Sequence, residues 1–133
     1  MIEIITNSAT IEKIHNAVGS LGSFKKTTII NYIKKHCPSD EHLPIAINNF
    51  IRSCAGYCVA TFVLGIGDRH SGNIMVKKSG HLFHIDFGHF LGNFKWKYGI
   101  KRERTSFVFT EAMAWVFEGK GSSKFKLFED YCF

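Results

Sequence analysis

Residues 67–90 read GDRHSGNIMVKKSGHLFHIDFGHF. Two apolar, β-prone runs, NIMV and HLFHID, flank Lys78-Ser79-Gly80, so the spacing predicts a β-hairpin with its turn there. Asn73 enters the first strand and Asp86 leaves the second. A hairpin therefore brings these two residues into one small volume. An amide oxygen and a carboxylate together make a hard-oxygen site suited to Mg²⁺, which keeps waters and phosphate oxygens as its other ligands. A metal pair of this kind beside a proton acceptor is the inventory of phosphoryl transfer. His70 and His89 are the candidate acceptors, because imidazole titrates near neutral pH. His84 alternates with Phe83 and Ile85 on a strand and reads as structural. His15, His36, His42 and His81 read as structural or solvent-facing.

Upstream of the hairpin, residues from about Glu41 to Leu64 predict one long helix. Pro44 falls in its first turn, where a missing N–H costs little. Ile47, Phe50, Ile51, Cys54, Cys58 and Phe62 recur at helical spacing, and AGYCVATFVLGIG is apolar nearly all round, so this helix should be central and buried. Further upstream, MIEIIT reads as a strand end. NSATIEKIHNAV reads as a helix capped by Asn7 or Ser8, and SFKKTTIINYIKKHCP as a second helix capped by Ser23 and ended by Pro38. Downstream, residues 89–107 form a long basic and aromatic loop, of a length that is more often functional than idle. A helix capped by Thr110 follows, with Glu111 at its start and Gly119 near its end. No closing element is predicted at FEDYCF.

The chain has 133 residues, 45% of them hydrophobic, which fits one globular domain. No apolar run is long enough for a transmembrane helix. The N-terminus lacks a basic n-region, so it does not read as a signal peptide. The four cysteines show no framework spacing. Cys54 and Cys58 read as small core residues, which suggests a reducing, cytosolic compartment. The formal charge of +6 suits anionic partners. Much of it is concentrated in NFKWKYGIKRER, where Lys95, Lys97, Lys101, Arg102 and Arg104 stand against one anion, Glu103. By itself that loop fits a phosphorylated lipid headgroup, a nucleic acid stacked on Trp96 and Tyr98, or nothing at all.

The motifs resemble those of phosphoinositide 3-kinases, nearest to the class I catalytic subunits. GDRHSGNIMV is similar to the catalytic loop, and LFHIDFGHFLGNFK to the start of the activation loop. RSCAGYCVATFVLGIGDRH and KYGIKRER extend the likeness from about Phe50 to Arg104. The order Asp-Arg-His, with Asn73 three residues on, separates it from protein kinases. The resemblance implies an α+β fold. It would be the mainly helical C-lobe of a protein-kinase-like lipid kinase domain, with a small β-hairpin carrying the catalytic and DFG motifs. Residues 1–133 would be part of that catalytic domain, starting at the hinge with the N-lobe absent.

The resemblance also implies roles. His70 is the proton acceptor for the inositol 3-hydroxyl, and His89 a second catalytic group near the transferred phosphate. Asp68 and Arg69 shape the loop. Asn73 and Asp86 hold Mg²⁺. Met75, Phe83 and Ile85 lie under the adenine of ATP, and Glu3 and Ile5 offer backbone groups to its edge. Beside the DFGH motif, the basic loop with Lys95, Lys97, Lys101, Arg102 and Arg104 reads as the site for a phosphoinositide, phosphatidylinositol 4,5-bisphosphate by likeness to class I. Ser106 departs from the proline usual there, and Ser71 and Gly72 fill variable positions. The partners implied are a phosphoinositide at a membrane surface and a regulatory subunit, with no nucleic acid. The location implied is cytoplasmic, with peripheral recruitment to membranes. Without a phosphate-covering lobe the isolated chain would be weakly active or inactive. The alternatives are a non-catalytic, pseudokinase-like lobe that binds phosphoinositide, and a metal-dependent phosphohydrolase using Asp68, His70, His84 and Asp86.

Overall fold

The computed structural model describes residues 3–19, 25–91, 107–133 and the backbone of 96–97 and 100–101. In chain order the elements are β1 (Ser8–Thr10), α1 (Ile11–Asn16), α2 (Thr28–His36), a 3-10 turn (Asp40–His42), α3 (Leu43–Val63), β2 (Ile74–Lys77), β3 (Leu82–His84), β4 (Trp96–Lys97), β5 (Ile100–Lys101), α4 (Glu111–Val116) and α5 (Ser123–Cys132). The class is α+β. None of the described helices is long and apolar enough to cross a membrane.

Helix α3 is the axis of the fold. Pro44 sits in its first turn, and Phe50, Ile51, Cys54 and Ala55 are buried along it. Strand β3 packs on one side and α5 on another. The hairpin β2–β3 is fastened to α3 at three points. The amide of Asn49 donates to Ser79 O (3.0 Å), and the Ser53 hydroxyl accepts from Leu82 N–H (2.9 Å). At the third point Gly80, with φ +92°, approaches so closely that an added Cβ would stand 2.0 Å from the carbonyl oxygen of Ala46.

The sheet has three strands rather than the two of a hairpin. β1 pairs antiparallel with β2, with Ala9 opposite Val76, and Lys78 N–H donates to Asn7 O (2.8 Å). Residues 8–10 satisfy the open edge of the hairpin, so neither Asn7 nor Ser8 caps a helix. Thr10 caps α1 instead, its hydroxyl accepting from Lys13 N–H (3.1 Å). The strand expected over MIEIIT is correspondingly displaced, since residues 3–6 are not in a strand. Helix α2 begins at Thr28, and Ser23 lies outside the described residues.

Two further expectations need correction. Phe62, assigned to the inner face of α3, is 75% exposed, and Val63 is 69% exposed. The stretch is apolar on every side, so its periodicity could not tell which face the neighbours would cover. The C-terminus also has a closing element. Ser122 caps α5 by accepting from Phe125 N–H (3.0 Å). Phe125 and Phe128 of that helix join Phe50, Phe109 and Phe117 in an aromatic core, in which Phe117 and Phe128 lie 5.1 Å apart. Within the loop expected over 89–107, β4 and β5 pair, with Trp96 opposite Lys101.

His84 is structural, as its strand position suggested. It is 3% exposed and lies between the rings of Tyr57 (5.0 Å) and Phe107 (6.0 Å). Neither ring nitrogen has a hydrogen-bond partner among the described residues. Burial, and secondarily the positive charge of Arg69, lowers its pKa from 6.5 to about 4. Below pH 6.5 the unfolded chain takes up a proton that the folded chain refuses. Stability from this source is therefore complete above pH 6.5 and declines as the pH falls toward 4, by about 2–3 kcal/mol in all. His84→Phe keeps the stack and removes the titration. Urea denaturation at pH 7 and pH 4.5 should show a smaller acid loss for the variant than for the wild type. Equal losses would exclude His84 as a source.

Candidate functional site

The segment 67–73 leaves α3 and is held from several sides. Gly67 N–H donates to His89 O (2.8 Å), and Leu91 N–H donates to Leu64 O (3.1 Å). Both bonds lay the residues after Asp86 against the end of α3. Glu12 N–H, in the first turn of α1, donates to Ser71 O (3.0 Å). Asn73 N–H donates to His70 O (2.9 Å), and Ile85 N–H donates to Asn73 O (3.0 Å), which extends the β2–β3 ladder to the mouth of the hairpin.

Asn73 and Asp86 therefore stand at that mouth, Asn73 beside Ile85 and Asp86 next along the chain. Asn73 is buried, and its Nδ2 donates to Asp68 O (2.8 Å). That bond fixes which way the amide is turned and leaves Oδ1 as an acceptor. Asp86 is exposed and has φ +59°. The pair fits a hard cation that takes its remaining ligands from phosphate and water.

Arg69 has a more specific place than a loop-shaping role implies. It is 8% exposed. Its Nε donates to Gly67 O (2.8 Å), one terminal nitrogen to Ile85 O (2.9 Å) and the other to Asp86 O. The guanidinium also lies 5.6 Å from the centre of the Phe87 ring. One side chain thus ties the start of the 67–73 segment to both residues at the hairpin exit. Only the flat five-donor fork of arginine can do this. Asp68 at the same bend has φ +55°.

His70 is exposed, and its Nδ1 accepts from Gly72 N–H (3.1 Å). His89 is half-buried, and its carbonyl is the group bonded to Gly67. Met75 and Phe83 face each other across the ladder, on the side opposite Ile74, Val76 and Leu82, which belong to the core. Ile85 is half-buried just beyond them. Glu3 and Ile5 are exposed and precede β1, and the Ile5 carbonyl accepts from the Ser8 hydroxyl (3.0 Å). Lys97 is in β4 and Lys101 in β5, described as backbone only. Lys95, Arg102 and Arg104 lie outside the described residues.

Glu12 and its contact with the 67–73 segment were not legible in the motifs. Only the Glu at the second position of a Thr-capped helix hinted at an acidic first turn.

Comparison with known proteins gives a concordant result. The family model for phosphatidylinositol 3- and 4-kinase matches residues 1–133. The chain is 54% identical over 134 residues to phosphatidylinositol 3-kinase 1 of Dictyostelium discoideum, an alignment covering 99% of this chain and 8% of that protein. It is 51% identical over 134 residues to phosphatidylinositol 4-phosphate 3-kinase C2 domain-containing subunit beta of Homo sapiens, again covering 99% of this chain and 8% of that protein. The chain thus spans about 8% of the length of these curated relatives. With the family matched over every residue, the chain belongs to the phosphatidylinositol 3- and 4-kinase family.

Proposed function

We propose that this chain is catalytic-domain sequence of a phosphoinositide 3-kinase, which moves the γ-phosphate of ATP onto the inositol 3-hydroxyl of a membrane phosphoinositide. The observation that carries this reading is the hairpin mouth, where Asn73 lies opposite Ile85, one residue before Asp86, and both Asn73 and Asp86 are hydrogen-bonded to the loop that presents His70. Asn73 Oδ1 and the Asp86 carboxylate would hold Mg²⁺, which neutralises charge on the transferring phosphates. His70 receives the hydroxyl proton, and His89 stands by the transferred group. Met75, Phe83 and Ile85 supply an apolar floor for adenine, and Glu3 and Ile5 its edge. Lys95, Lys97, Lys101, Arg102 and Arg104 hold the headgroup phosphates. The protein works at the cytoplasmic face of membranes, recruited peripherally with a regulatory subunit.

Class I likeness favours phosphatidylinositol 4,5-bisphosphate as substrate. The human relative is named for phosphatidylinositol 4-phosphate, so vesicles carrying each lipid belong in the test. The isolated chain transfers weakly or not at all, so transfer of radiolabel from ATP to lipid should be measured with residues 1–133 set in a complete catalytic domain, as the wild type and as Asp86→Asn. The substitution should reduce turnover by roughly 10²–10³-fold, since it removes a charged group that acts on the transition state. Headgroup binding without any transfer by the wild type would support the non-catalytic lobe instead.

A further inference from the structure

A histidine that accepts a proton through Nε2 must carry its own hydrogen on Nδ1, and that Nδ1–H needs an acceptor. In the structure Nδ1 of His70 faces Gly72 N–H at 3.1 Å, which is itself a donor. That contact favours the opposite tautomer, with the hydrogen on Nε2. The proton-accepting form of His70 therefore calls for a different partner at Nδ1.

A carboxylate is placed to be that partner. A Cβ added to Gly72 would stand 3.0 Å from both Cε1 and Nδ1 of His70 and 3.1 Å from Oε2 of Glu12. The imidazole edge and the carboxylate therefore face each other across the Gly72 α-carbon. Both being about 3 Å from one point, they are within about 6 Å of one another. Any side chain at position 72 would fill the gap. Glu12 is also pinned to this loop by its backbone bond to Ser71, on a helix start capped by Thr10. Among the described residues, the ion pairs join Lys26 to Glu111 and Lys124 to Glu118, so no lysine or arginine there neutralises Glu12.

We propose that Glu12 is a positioning residue for His70. A rotation of the ring away from Gly72 lets Nδ1–H donate to the Glu12 carboxylate, which leaves the Nε2 lone pair for the substrate. In the transfer the hydroxyl proton passes to Nε2 and the hydroxyl oxygen bonds to the γ-phosphorus. The bond from that phosphorus to the bridging oxygen breaks, ADP leaves, and the resulting imidazolium is paired with Glu12. This rests on the kinase reading above. A first-turn acid that served only the helix dipole would stabilise α1 slightly and leave turnover unchanged.

Two measurements test it, both on a purified complete catalytic domain that contains residues 1–133. In the lipid kinase assay Glu12→Gln should lower kcat about 10–100-fold with KM for ATP and lipid unchanged, the scale of losing a group that orients a functional histidine. Glu12→Asp should recover part of the loss, and Gly72→Ala should reproduce it. A kcat for Glu12→Gln within twofold of wild type, or a rise in both KM values with no change in kcat, overturns the proposal. The second measurement needs no turnover. Side-chain ¹⁵N spectra of histidine-labelled protein should show His70 sharing its proton between Nδ1 and Nε2 in the wild type and settling on the Nε2–H tautomer in Glu12→Gln. Unchanged His70 nitrogens overturn the pairing even if the wild type is an active kinase. A complete catalytic domain containing residues 1–133 that transfers no phosphate, while its His70 nitrogens respond to Glu12→Gln, sinks the kinase reading and keeps the pairing.

Discussion

Lysine in place of Arg69 is expected to cut phosphate transfer by about a hundredfold, the scale on which misplacing a reacting group by about 1 Å is felt. The helical core should stay folded. Arg69 serves three carbonyls, those of Gly67, Ile85 and Asp86, from one plane. An ammonium is a point charge on a flexible stem and cannot reach all three. Each carbonyl left without a partner where water is excluded costs about 1–3 kcal/mol. The penalty falls on the backbone that aims Asp86, while the contacts of α3 with α5 and β3 are not involved. Amide hydrogen exchange should therefore quicken at residues 85–89 and stay slow in the middle of α3. If transfer and exchange both match the wild type, water or other donors have replaced the guanidinium, and the clamp is not what positions Asp86.

Gly80→Ala should have the largest effect on stability, about 2–5 kcal/mol from left-handed backbone strain and overpacking together. That is a large part of the total stability of a small domain. The residue has φ +92°, and a Cβ there would lie 2.0 Å from the carbonyl oxygen of Ala46. The obstacle is helix backbone and not a side chain that could swing away. Either the turn lifts off α3 or the first turns of α3 deform. Lifting the turn would also strain the bonds from Asn49 to Ser79 and from Leu82 to Ser53. The midpoint of urea denaturation measures the loss. A change below about 1 kcal/mol would mean that the hairpin can part from α3 at little cost, contrary to the role given to Gly80.

The parts of the fold that could be read from sequence have strong local signals. Lys78-Ser79-Gly80 between two β-prone runs placed the hairpin turn, and the hairpin alone put Asn73 opposite Ile85, the neighbour of Asp86. Thr110 before an apolar run located α4. What escaped depended on distant partners. Ser8–Thr10 is a strand only because β2 offers an unpaired edge, and nothing in three residues announces that. Phe62 belongs to a helix that is apolar all round, so exposure is set by neighbours and not by pattern. α5 is a different case. Ser122, Phe125 and Phe128 carried a cap and helical spacing that could have been recognised. Among the candidate site residues, side-chain types singled out Asp86, Asn73 and His70. The three-carbonyl clamp of Arg69 and the facing of Glu12 and His70 follow from backbone geometry that residue types do not encode.

The pairing of Ser8 with Lys77 has a consequence for the order of folding. The hairpin and α3 are neighbours in sequence and can meet early. β1 and α1 must be carried back across about sixty to seventy residues before they find β2 and the loop that holds His70. Closing so long a loop is slow compared with forming local contacts. The loop holding His70 is thus completed by a remote part of the chain, after the hairpin that bears Asp86 has already docked. Completion of that loop should then appear as a late kinetic phase, lagging the docking of the hairpin on α3.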